Sequence, residues 1–87
     1  MILNLTRNAT TPEQRAQGVF EPSPQDKADI KRLLTFEGCP SKEFLRRRAM
    51  ILAVIADSYD GGYVLIEGNF ALTAELLREI PGAITKI

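Results

Sequence analysis

Histidine and tryptophan are missing from the 87-residue chain, cysteine occurs once, and neither sign of charge is in excess. Without histidine there is neither the commonest general base at neutral pH nor the commonest metal ligand. A lone cysteine, Cys39, cannot close an internal disulfide, which favours a reducing compartment such as the cytoplasm. Eleven basic residues balance eleven acidic ones, whereas a general DNA-coating protein needs a basic excess. The longest apolar run, Ala49 to Ala56, has eight residues, and a membrane-spanning helix requires about 20. The opening Met1-Ile2-Leu3-Asn4-Leu5-Thr6-Arg7 carries no basic region ahead of a long apolar stretch, unlike a secretory signal. The expectation is a cytoplasmic protein with no membrane contact, no metal and no cofactor.

The apolar fraction of 45% and charged fraction of 25% are those of an ordinary globular chain. A second core would need roughly 50 further residues, so residues 1–87 read as one domain. A chain of this size buries only about 60–65% of its unfolded surface, which makes a homodimer the expected state.

Local signals divide the chain into three strands and four helices. Ile2-Leu3-Asn4-Leu5-Thr6 has strand length and composition, predicting a strand at about 2–6. Thr11-Pro12-Glu13-Gln14 combines an N-cap threonine, proline at the first helical position and glutamine three residues past the cap. That predicts a helix at about 12–17, ended by Gly18 in a left-handed conformation. Val19-Phe20 is expected to pack back onto the core. Ser23-Pro24, with Asp26 in the first turn, opens a second helix at about 24–35, whose apolar positions are Ile30, Leu33 and Leu34. Ser41 caps a third at about 42–58, basic at first and then apolar on nearly every side. Tyr63-Val64-Leu65-Ile66 is apolar without alternation, as in a strand covered on both faces, predicted at about 63–67. Leu72, Leu76, Leu77 and Ile80 mark a helix at about 70–80, Pro81-Gly82 stops it, and 83–87 reads as a last strand.

Strand, helix and strand within 25 residues form a parallel crossover. With the first strand added, the prediction is a minimal Rossmann-like α/β unit with a three-stranded parallel sheet. Ligands of such sheets sit beyond the carboxyl ends of the strands. Two segments fall there: Thr6-Arg7-Asn8, and Glu67-Gly68-Asn69-Phe70. Arg7 offers a fork of donors for phosphate, Thr6 a hydroxyl and Asn8 an amide. Gly68 permits close backbone approach, Asn69 can cap the next helix, and Phe70 can stack on a base. The plain alternative is an ordinary strand-to-helix turn beside a solvated arginine. A second candidate surface is basic. Arg46, Arg47 and Arg48 spread over about 200° of helix arc, but Lys42 and Arg46 share a face that, with Arg47, is the candidate interaction surface for an acidic partner or phosphate, the plain alternative being a solvated face. Through Arg48 there are nine basic and six acidic residues, net +3, and from Ala49 two and five, net −3. Such asymmetry suits contact between opposite halves, within one protomer or across a dimer.

The run Ile2-Leu3-Asn4-Leu5-Thr6, Ala9-Thr10, Thr11-Pro12-Glu13-Gln14 and Gly18-Val19 resembles the opening of a group of small phage and bacterial proteins. The likeness continues through Leu33-Leu34-Thr35-Phe36-Glu37 and the alanine-rich third helix. The second half is similar in plan to CRISPR-associated Rossmann-fold (CARF) domains. That resemblance implies a dimer binding a cyclic oligoadenylate with its first-strand loop and a later glycine-rich turn. Asn8 stands where the group usually has histidine, and Glu67 replaces one glycine of its double-glycine turn.

The leading expectation is therefore a phage- or prophage-type protein, acting in the host cytoplasm, that binds a nucleotide-like ligand in antiviral defence or counter-defence. Its ligand-binding residues would be Thr6, Arg7, Asn8, Gly68, Asn69 and Phe70, and no catalytic residue is assigned. The rival from another class is an anti-defence inhibitor that captures a host defence protein through Lys42, Arg46, Arg47 and the apolar stretch from Met50. A third, a cyclic-nucleotide nuclease, would have to rest on Thr6, Asn8 and Glu67, since Cys39 has no histidine to activate it.

Overall fold

A computed structural model describes residues 1–38, 40–59, 62–66 and 71–84. The elements in chain order are β1 (Ile2–Asn4), α1 (Pro12–Ala16), β2 (Val19–Phe20), α2 (Pro24–Leu34), α3 (Lys42–Asp57), β3 (Tyr63–Leu65), α4 (Ala71–Glu79) and β4 (Ala83–Ile84). All four strands join one parallel sheet in the order β2-β1-β3-β4. The α/β class and the parallel layer are as expected, but the sheet has four strands where the sequence predicts three. Val19 and Phe20 form the additional one, in register with Ile2 and Leu3. A two-residue edge strand carries no periodicity of its own; only its partner β1 defines it.

Helix starts follow local chemistry closely. Thr11 accepts from the Gln14 amide while Gln14 Oε1 accepts from the Thr11 amide, a complete capping box. Ser23 and Ser41 cap α2 and α3 in the same way, accepting from the amides of Asp26 and Phe44. Gly18, at φ 95°, closes α1 and presents its carbonyl to the Ile2 amide at 2.9 Å. The strands stop earlier than expected. In β1 the Thr6 amide leaves the ladder to donate to Asn4 Oδ1, which ends pairing before 6. Residues 67 and 85–87 of the expected strands lie outside the described residues.

One core joins one sheet face to three helices. Leu3, Leu5, Val64 and Ile66 point into it, and α2 adds Ile30 and Leu33. From α3 come Leu45, Ala49, Leu52 and Ala56, and from α4 Leu72 and Leu76. The alanines thin that side of α3, and α3 and α4 form the most extensive contact between elements. No α1 residue is buried. The chain moves from β1 to β2 in one direction and from β2 past β1 to β3 and β4 in the other. Right-handed crossovers then place α1 on the opposite face from α2, α3 and α4. Leu65 and Val19 are buried although neither belongs to the three-helix core.

Candidate functional site

The reversal of direction at β1 locates the site. Sheets of this kind part their connections where strand order reverses, leaving a crevice at the carboxyl ends. Here that point lies between β1 and β3, with residues 5–10 following β1 on one side.

The first boundary is built around Asn4, a fully buried polar residue inside a strand. A buried amide without partners costs several kcal/mol, so its bonds decide the local structure. Asn4 Nδ2 donates to the Asn8 carbonyl at 2.9 Å and to Glu21 Oε1 at 2.6 Å, with Thr10 Oγ1 at 3.1 Å. Its Oδ1 accepts from the Thr6 amide at 3.1 Å and the Thr6 hydroxyl at 2.7 Å. The Thr6 hydroxyl in turn accepts from the Asn8 amide at 3.3 Å. Glu21, just past β2, also accepts from the Thr10 amide at 2.9 Å and from the Thr10 hydroxyl. Lys27 Nζ completes the cluster: it donates to the Thr6 and Asn8 carbonyls, both at 2.8 Å, and pairs with Glu21 Oε2 at 3.2 Å. An ammonium has three protons, and all three are thereby used. Burial pushes the Glu21 carboxyl up, but the hydrogen bonds from Thr10, Asn4 and Lys27, with the Lys27 charge, outweigh it and hold it below its usual range.

This arrangement divides the expected residues by role. Thr6 is buried and its hydroxyl serves the Asn4 cluster. Asn8 contributes backbone groups to the cluster and remains exposed, as does Arg7. Gly68, Asn69 and Phe70, like Glu67 and Cys39, lie outside the described residues. The cluster members Asn4, Thr10, Glu21 and Lys27 were not expected. The available signal was Asn4 itself, a polar residue within the run Ile2-Leu3-Asn4-Leu5, which needs buried partners. The partners are not local, so the sequence does not name them.

The three residues of the expected interaction surface lie on one helix. Lys42, Arg46 and Arg47 are exposed on α3, and Arg47 pairs with Glu43 at 3.0 Å. Arg48 turns the other way: it donates to the carbonyls of Arg32 and Leu33 at 2.9 and 2.8 Å, closing the end of α2. Its guanidinium lies 4.4 Å from the Phe44 ring centre, and Phe36 meets Phe44 edge-on. Arg48 is thus a packing residue. A cavity of about 280 Å³ near Tyr59, Tyr63, Ile80 and Gly82 opens at the opposite, amino-terminal end of β3 and β4.

Among the described residues there is no cluster of His, Cys, Asp and Glu able to hold a metal. No helix among them is long and apolar enough to cross a membrane. No family model, curated protein or solved structure matches the chain.

Proposed function

We propose that this protein is a small binding module for a nucleotide-like, phosphate-bearing ligand, seated beyond the carboxyl ends of β1 and β3. The observation that carries this reading is the strand order β2-β1-β3-β4, whose reversal falls beside a rigid, polar loop. In this reading the Asn4–Glu21–Lys27 cluster holds residues 6–10 in one conformation before ligand arrives, which lowers the ordering cost of binding. Arg7, exposed on the loop after β1, is the cation assigned to phosphate, in a bidentate contact. Asn8 supplies an amide for a base or ribose edge. The resemblance to CARF domains favours a cyclic oligonucleotide and a setting in antiviral defence or counter-defence.

Calorimetric titration with cyclic and linear oligoadenylates, and with inorganic phosphate as the reference anion, tests the reading. Arg7→Ala is expected to weaken nucleotide binding about 10-fold or more with the circular dichroism spectrum of the folded protein retained. Absence of heat at millimolar nucleotide, or an Arg7→Ala variant that binds as wild type, contradicts it.

A further inference from the structure

Helix α3 packs one apolar stripe into the core and leaves a second, mixed stripe with an apolar centre on the outside. The inner stripe is Leu45, Ala49, Leu52 and Ala56. On the opposite side Glu43, Arg47, Met50, Val54 and Asp57 succeed one another at spacings of four, three, four and three residues, and all five are exposed. That is the spacing of the facing positions in a helix pair, with apolar side chains at the two central ones. At its middle, Met50 is 50% and Val54 70% exposed, with Ile51 beside them at 49%. Lys42, Glu43, Arg46, Arg47 and Met50 border an open depression along the first half of α3.

The charges along the outer stripe select its partner. They run negative, positive, apolar, apolar, negative, so neither a uniformly acidic nor a uniformly basic surface matches them. A parallel copy would set Glu43, Arg47 and Asp57 against their own like charges. An antiparallel copy in which Met50 meets Val54 of the partner subunit places Arg47 against Asp57 of the partner subunit, twice by symmetry. Shifted four residues, so that Met50 meets Met50 of the partner subunit, Glu43 opposes Asp57 of the partner subunit and the register is penalised. We infer that the outer face of α3 is an isologous interface with a second copy of this chain, antiparallel, with Met50 and Val54 at its centre and Arg47–Asp57 pairs at both ends.

The overlap spans residues 47–57, about 16 Å of helix, an interface below about 1,200 Å² and hence a weak, concentration-dependent dimer. Sedimentation equilibrium of the 87-residue chain from about 10 µM to about 1 mM should show the apparent mass rising from 9.7 kDa toward twice that value. Val54→Glu should abolish the rise with an unchanged circular dichroism spectrum, because Val54 takes no part in the core. Arg47→Asp and Asp57→Arg should each weaken self-association about 10-fold. Mixed in equal amounts, the two variants should associate again, since the introduced Asp at 47 of one then faces the introduced Arg at 57 of the other at one end, and an unchanged Arg47–Asp57 pair forms at the other. A wild-type chain that stays at 9.7 kDa throughout overturns the proposal and leaves the face to a different partner. A mixture that associates no better than either variant alone overturns it equally.

Discussion

Asn4 is the residue on which the candidate site turns, because its two protons and two lone pairs tie β1, its following loop and the end of β2 together. Replacing it by aspartate removes the donor and sets a carboxylate where Glu21 Oε1 lies 2.6 Å away. Asn4→Asp is expected to lower stability by about 3 kcal/mol near neutral pH, and adding Glu21→Gln should recover part of that loss. Chemical denaturation of the two single variants and the double variant measures the coupling. Equal and additive losses would show that the two side chains do not meet. Glu21 also predicts a pH dependence. Its carboxyl is held below the usual range, so its stabilising effect is complete above the unfolded-state value of about 4.3 and is lost as pH falls from there through the lowered folded-state value. Denaturation midpoints followed across that acid window should fall more steeply for wild type than for Glu21→Gln. Parallel curves would contradict the assignment.

Helix entry and exit were the most legible features, since Thr11, Ser23, Ser41 and Gly18 act through neighbours within a few residues. The additional strand was not legible, because Val19 and Phe20 become a strand only by pairing with a segment some 17 residues away. The same distinction explains the arginines. Helical geometry separates Arg46, Arg47 and Arg48, but only the position of α2 shows that Arg48 turns inward to the Arg32 and Leu33 carbonyls. Pro81-Gly82 is a helix stop by its local chemistry, and the structure adds a second demand on it. A side chain on Gly82 would drive its Cβ into the Gly62 carbonyl oxygen, where the turn into β4 crosses the start of β3. Gly82→Ala is therefore expected to cost about 2–3 kcal/mol, since the obstacle is backbone rather than a movable side chain. A variant with wild-type denaturation behaviour would show that these two turns are not packed this closely.

For the whole molecule, the order of four short strands matters more than any single contact. It sends α1 to one face, gathers α2, α3 and α4 over the other, and leaves the reversal beside the Asn4 cluster. The parallel sheet is legible in the crossover from Tyr63 onward, and the candidate site is placed at its carboxyl edge on that ground. The cluster at that edge is not legible, because Asn4, Glu21 and Lys27 are brought together only by the fold. The central claim is that ligand enters at the carboxyl edge between β1 and β3. Backbone amide NMR during titration with a cyclic oligoadenylate measures this residue by residue. The predicted result is a set of saturable shifts confined to residues 5–10 and to the segment following Ile66. Shifts centred instead on Gly62, Tyr63 and Gly82 at the other end of the sheet, or on α3, would contradict it.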